Sequence, residues 1–221
     1  MKKREKNYIE NMIFDFDGVI YDSVKIKNNA FKKIVKGYNL SIQKKFLKFH
    51  LNNLGVSRYK KFEFLKNRLI KSKNKDFIND NSMMYKKILS NDLKKAKLIP
   101  GANFFIKKYK KFNLFISSGT PENDLKKICK EKKIEIYFKK IMGSPKNKIQ
   151  HISDLKKKFK INKKNTIFFG DSITDFNAAK KYNLAFIQVG NNMKNNMVQL
   201  KIKDFHDKKI KKYLNERIFK K

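Results

Sequence analysis

A single cysteine, Cys129, rules out a disulfide within the chain, which makes the reducing cytoplasm the expected compartment. No run approaches the roughly 18 apolar residues of a membrane-spanning helix, so none is expected. Tryptophan is absent, and glycine and alanine are sparse. Arginine occurs only at Arg4, Arg58, Arg68 and Arg217, although Lys and Arg together number 56 in 221 residues. Only 19 residues are acidic, which leaves a formal charge of +37. Such an excess suits nucleic-acid phosphates. The basic set is almost all lysine, however, and Lys, Asn, Ile, Phe and Tyr abound, as in codon choice from a genome rich in A and T. Lys107, Lys108, Lys110 and Lys111 fall on the solvent face of a helical segment, where charge is simply hydrated. Nucleic-acid binding is therefore not expected, although the charge can steer phosphorylated molecules to a site. The opening MKKREKNYIE is as basic as the start of a signal peptide, but Asp15 and Asp17 interrupt the apolar run behind it, so export is not expected.

What is present is a hydrophobic fraction of 40%, sufficient for a substantial core. Apolar runs of strand length occur at 11–16, 112–118, 165–170 and 184–190, most of them bounded by Gly, Asp or Ser. Helical periodicity fills 102–111, 121–132, 147–159 and 174–182. Pro121 and Glu122 suit a first helical turn, and Thr174-Asp175 a helix cap. Continuous apolar strands alternating with helices predict a doubly wound, Rossmann-like parallel α/β sheet. Residues 22–95 differ. Their apolar positions step at helical spacing (Ile26, Ala30, Ile34; Phe46, Phe49; Phe62, Leu65, Leu69), broken by a loop at 52–57. They form an expected all-helical insert, with 1–21 and 96–221 as the discontinuous core and 71–81 as a loop or frayed helix end.

Ligand sites in such sheets lie at the carboxyl ends of the strands. Asp15 and Asp17 end the first apolar run, Ser117, Ser118 and Gly119 the second, and Gly170, Asp171 and Ser172 the third. Asp175 follows one helical turn on, and Lys148 opens the helix after Ile141-Met142-Gly143, with Lys146 as its competitor. Two acids at the end of an apolar strand are costly unless something offsets their charge. Cys129, His50, His151 and His206 carry no such pattern and are expected to be structural or exposed.

DFDGV (15–19), the strand-ending Ser117, Lys148 and GDSITD (170–175), in this order, resemble the motifs of the haloacid dehalogenase superfamily, of the phosphoglycolate phosphatase and beta-phosphoglucomutase-like type. The stretch beginning LIPGANFFIKKY resembles that family's return from cap to core, so the likeness covers nearly the whole chain. It implies a phosphatase in which Asp15 attacks phosphorus to give an aspartyl-phosphate and Asp17 acts as general acid and base. It further implies Mg²⁺ on the Asp15 carboxylate, the Asp17 carbonyl and Asp171, which suits a cation that prefers oxygen ligands. Ser117 and Lys148 would hold the phosphoryl oxygens, with backbone amides near Ser118 and Gly119 completing the cradle. Gly18 permits the tight turn, and Asp175 is either a partner for Lys148 or only a helix cap.

The same resemblance makes the insert a cap that selects substrate, with Lys27 and Arg58 as candidate binding residues. Gly55-Val56-Ser57-Arg58 resembles a substrate loop whose arginine holds a distal phosphate. The family's mutases differ from this chain at Lys27, where they carry histidine, at Gly170, where they carry an acid, and at Leu54, where they carry lysine. The expected activity is hydrolysis of a sugar phosphate or phosphoglycolate-like ester by a monomer. The alternatives are a phosphosugar mutase and a basic binding protein without catalysis.

Overall fold

The computed structural model describes residues 8–191, 193 and 198–218. Six strands form one wholly parallel sheet: β1 (Asn11–Phe14), β2 (Asn113–Pro121), β3 (Lys140–Ser144), β4 (Thr166–Gly170), β5 (Ala185–Val189) and β6 (Leu200–Ile202), in the order β3-β2-β1-β4-β5-β6. The fully buried strand β1 lies between β2 and β4, with Ile13 level with Phe115 on one side and Phe168 on the other. Successive residues of a strand face opposite sides, and both sides of this sheet are covered. Met12, Phe14, Leu114, Ile116, Ile167 and Phe169 belong to one apolar cluster. Ile13, Phe115, Phe168 and Phe186 belong to the other. Burial on both faces is why these strands read as continuous apolar runs. Phe14 and Phe169 stack across β1 and β4 with ring centres 4.7 Å apart.

Between β1 and β2 lie α1 (Val24–Val35), α2 (Leu40–Asn52), α3 (Arg58–Phe64) and α4 (Phe77–Lys95), with a π-helical segment, Leu65–Ile70, continuing α3. They enclose an apolar cluster of their own that includes Phe31, Phe46, Phe62, Leu65, Tyr85 and Leu89. Side-chain caps explain two of the starts: Asn39 accepts from the Ile42 amide at 3.0 Å, and Ser57 from the Lys60 amide at 3.4 Å. The helix α4 begins inside the stretch 71–81, because Phe77 is pulled into the cluster.

After α4 come α5 (Ala102–Lys108) before β2 and α6 (Glu122–Glu131) after it, then α7 (Lys148–Phe159), α8 (Ile173–Lys181) and α9 (Lys208–Ile218). Residues of α5, α6 and α9 join the first cluster and those of α7 and α8 the second, so the sheet is wound on both sides. Lys107, Lys108, Lys110 and Lys111 are exposed. The strands β3 and β6 and the helix α9 were not among the expected elements. The cap of α8 is Ser172 rather than Thr174 or Asp175.

Candidate active site

The turn after β1 places the two acids. The Asp15 amide continues the β1–β4 ladder by donating to the Phe169 carbonyl at 2.9 Å, and the Phe16 amide donates back to Asp15 Oδ1 at 2.7 Å. The chain then reverses tightly: the Ile20 and Tyr21 amides both donate to the Phe16 carbonyl at 2.9 Å. Gly18 has φ +80°, and a Cβ there would collide with the Asp171 carboxylate and Val24, so only glycine brings the turn this close to β4.

Asp15 is buried, and its Oδ2 lies 2.8 Å from Lys148 Nζ. Lys148 is the first residue of α7, which Asn147 and Gln150 hold by a reciprocal capping box. From there its Nζ also donates to Asp175 Oδ1. The other oxygen of Asp175 accepts from the Ser172 hydroxyl at 2.5 Å and from the Ser172 amide at 3.2 Å. Asp175 is therefore both the partner of Lys148 and the brace of the α8 N-terminus. Lys146 points elsewhere, to Asp154 at 2.7 Å.

Burial and the Asp175 carboxylate raise the Asp15 pKa well above the usual range, Lys148 opposes them, and Asp171 and Asp17 add to the rise. Burial disfavours the charge on Lys148, yet Asp15 and Asp175 outweigh it and raise its pKa. Oxygens of Asp15, Asp171 and Asp175 lie within 4.8 Å of one another, all three residues being buried. This set of hard donors suits a cation such as Mg²⁺. Lys148 and Ser172 engage the two oxygens of Asp175, as the Phe16 amide and Lys148 engage those of Asp15.

Asp17 turns its carboxylate to a different set of partners. Lys27 Nζ lies 2.6 Å from Oδ1, the Ser23 hydroxyl donates to Oδ1 at 2.5 Å, and the Thr120 hydroxyl donates to Oδ2 at 2.9 Å. Burial alone would raise this carboxyl, but Lys27, Ser23 and Thr120 together hold it below the usual range. The two acids, two residues apart, thus have opposite electrostatic surroundings.

On β2 the hydroxyl of Ser117 is bound to His151 Nδ1 at 2.9 Å, while His151 Nε2 faces the Gly143 carbonyl at 3.1 Å. A carbonyl only accepts, so Nε2 carries the proton and Ser117 donates to Nδ1. Burial lowers His151 to about 4, which keeps the ring neutral. Ser117 and Ser118 are buried, and Gly119 and Thr120 carry β2 into the cavity wall. Thr120 was not foreseen: a single threonine beyond the apolar run 112–118 carries no pattern, and only the packed chain brings it to Asp17.

The cavity measures about 210 Å³ and lies between the strand ends and the helical insertion. Its core side includes Asp15, Asp17 and Asp171, and its insertion side includes Lys27, Arg58 and Lys61. The loop before α3 docks on the strand-end loops. The Leu54 carbonyl accepts from Thr174 Oγ1 at 2.7 Å, and a Cβ on Gly119 would collide with the Gly55 backbone. Arg58 reaches Asp124 of α6 at 2.9 Å and the Ser82 hydroxyl at 2.6 Å. Lys61, hidden among many lysines in the sequence, forms a buried pair with His50 on the cavity wall. His206 is exposed, and Cys129 is buried, its thiol pushed up to about 12 by burial.

The family model described as haloacid dehalogenase-like hydrolase matches residues 12–189, a span that takes in every motif residue above. The chain belongs to this family. No curated protein sequence matches it. Among solved structures, this haloacid dehalogenase-like hydrolase is similar to beta-phosphoglucomutase from Clostridium difficile, with TM-score 0.75 and 20% identity over 94% of this chain and 98% of that one. It is similar to a predicted phosphatase from Clostridium acetobutylicum, with TM-score 0.72 and 20% identity over 94% and 99%. A predicted phosphoglycolate phosphatase from Haemophilus somnus superposes with TM-score 0.70 at 17% identity over 92% and 98%. These neighbours share the fold. Among the described residues, no helix is long and apolar enough to cross a membrane.

Proposed function

We propose that this hydrolase is a Mg²⁺-dependent phosphatase that cleaves a small phosphomonoester through an aspartyl-phosphate on Asp15. The observation that carries the reading is the pair of acids on one turn. Asp15 is held against Lys148 at 2.8 Å beside Asp171, and Asp17 faces the same cavity from a separate set of donors. In the first step an Asp15 oxygen attacks phosphorus and the ester P–O bond breaks, the leaving oxygen taking a proton from Asp17. For this the ester must part Asp17 from Lys27, so that Asp17, ionised in the free enzyme, first takes up from solvent the proton that it passes on. In the second step Asp17, left ionised by that transfer, takes a proton from water. The water oxygen attacks phosphorus and releases Asp15. Lys148 orients Asp15 and meets the phosphoryl oxygens. Mg²⁺, held by Asp15, Asp171 and the Asp17 carbonyl, supplies the charge that lets a phosphate approach clustered carboxylates. The helical insertion acts as a cap that excludes water and selects a small phosphorylated metabolite.

A mutase of the beta-phosphoglucomutase type is the second reading, favoured by Arg58 beside the docked loop. Against it, Arg58 already bonds Asp124 and Ser82, a poor disposition for gripping a distal phosphate. The deciding experiment is phosphate release from a panel of sugar phosphates and phosphoglycolate, with Mg²⁺ or EDTA, beside Asp15→Asn. Metal-dependent release that disappears in the variant supports the phosphatase. Isomerisation of a sugar 1-phosphate without release supports the mutase. Absence of both, with salt-sensitive capture of an oligonucleotide, returns the protein to the binding class.

A further inference from the structure

Lys61 of α3 is only 3% exposed and lines the same cavity as Asp15 and Asp17. Its Nζ lies 3.0 Å from His50 Nδ1 and 5.2 Å from the centre of the Phe31 ring. His50 Nε2 lies 2.8 Å from Asn28 Oδ1, which can only accept, so Nε2 carries the proton and Nδ1 receives the lysine. Asn28 thus holds the ring, and the ring holds the ammonium. An ammonium has three donors. Among the described residues His50 takes one of them, and no carboxylate lies within ion-pairing distance. Burial and the nearby Lys27 bring Lys61 down to about 7, with Asp17 opposing and Lys148 adding to the fall. An uncompensated cation in an enclosed site is costly, and an anion placed beside it offsets that cost.

The other buried or half-buried basic groups near the cavity are already matched: Lys27 to Asp17, Lys148 to Asp15 and Asp175, and Arg58 to Asp124. Lys94 and Lys127 also line it but are exposed to water, which hydrates their charge. The cavity, at about 210 Å³, is smaller than the ~300–1,000 Å³ of pockets for drug-sized ligands, so the substrate is compact. We propose that Lys61 receives a second anionic group of the substrate, a carboxylate or a second phosphate remote from the reacting phosphoryl group. This makes the enzyme selective for doubly anionic phosphomonoesters, with His50 and Asn28 as positioning residues. The inference rests on the phosphomonoester reading above and deepens it.

The test measures binding in an Asp15→Asn background, where turnover cannot confuse the result. Calorimetry compares 2-phosphoglycolate with ethyl phosphate, and glucose 1,6-bisphosphate with glucose 1-phosphate. One member of each pair carries the extra anion, and the pair that responds tells carboxylate from phosphate. The doubly charged member is expected to bind about tenfold to a hundredfold tighter in at least one pair. That advantage should collapse in Lys61→Met and persist in Lys61→Arg. Asn28→Ala, which loosens His50, should reduce it by a smaller factor, and it provides the test if Lys61→Met does not fold. Equal affinities within both pairs, or an advantage indifferent to Lys61 and Asn28, overturn the inference. Failure of the Asp15-intact enzyme to release phosphate from any ester overturns the phosphatase reading instead, while the binding comparison still decides whether Lys61 receives an anion.

Discussion

Lys148 and Lys61 are both shut away from solvent, at 6% and 3% exposure, one at the sheet edge and the other in the helical insertion. Lys148 stands between two carboxylates, and its charge is reinforced. Among the described residues Lys61 meets a neutral imidazole and an aromatic ring, and its pKa is lowered to about 7 by burial and Lys27. One side chain thus serves two purposes. In the core it completes a network that is already balanced, and in the insertion it leaves an imbalance for something else to correct. Machinery common to many substrates can be finished within the protein, whereas recognition of one substrate class requires a group that is incomplete alone.

The strongest way to test the core half of the comparison is Asp15→Asn, for which phosphate release should fall by about 10³-fold or more, since no other group can carry the phosphoryl. Next comes Lys148→Met, which strands Asp15 and Asp175 without their cation. Removing one partner of a buried pair costs about 3–5 kcal/mol, so the denaturation midpoint should drop sharply. A variant as stable as the wild type would dissolve the contrast between the two lysines.

Lys61→Met should do the opposite and hold or raise stability. The sign follows from linkage. The folded pKa of Lys61, about 7, lies below its unfolded value near 10.5, so the folded state resists the proton. The penalty is full below pH 7 and is relieved as pH rises towards 10.5. The stability gain of Lys61→Met over wild type should therefore be largest in acid and vanish by about pH 10.5, as chemical denaturation at several pH values would show. His50, Lys27, Asp17 and Lys148 form the electrostatic surroundings of Lys61, and the same groups are present in both proteins, so the difference isolates Lys61.

The smallest effect belongs to the tie between the two regions. Asp124 of α6 receives Arg58 at 2.9 Å and Lys86 at 2.7 Å. Burial raises Asp124, but these cations outweigh it and lower its pKa. Asp124→Asn should cost on the order of 1 kcal/mol, less at high salt, in thermal unfolding. The stability that Asp124 adds is present above its unfolded pKa and is lost as pH falls through the lower folded value.

The two missed strands, β3 and β6, are the edges of the sheet. A central strand is covered on both faces and flanks, so β1 and β4 announce themselves as apolar runs. The edge strands are mixed in composition, β3 with Lys140, Gly143 and Ser144 and the three-residue β6 with Lys201 at its middle, and present no such run. The spacing of Ala30, Ile34, Phe46, Phe62 and Leu65 is helical because one face of each helix must be apolar to share a core. Within the stretch 71–81, the start of α4 at Phe77 depended on a packing partner distant in sequence.

Local pattern by itself determined the strand-end grouping of Asp15, Asp17, Lys148, Asp171 and Asp175, because a parallel sheet carries the carboxyl ends of its strands to one edge whatever the loops do. Only the tertiary structure decided which lysine of 146 and 148 turned inward, that Asp175 both braces a helix and holds that lysine, and that Thr120 reaches Asp17. It alone separated Lys61 from the many lysines that merely meet water. A residue's type sets its charge, but its pairing and exposure come from segments far apart in the chain, and those exist only once the chain has packed.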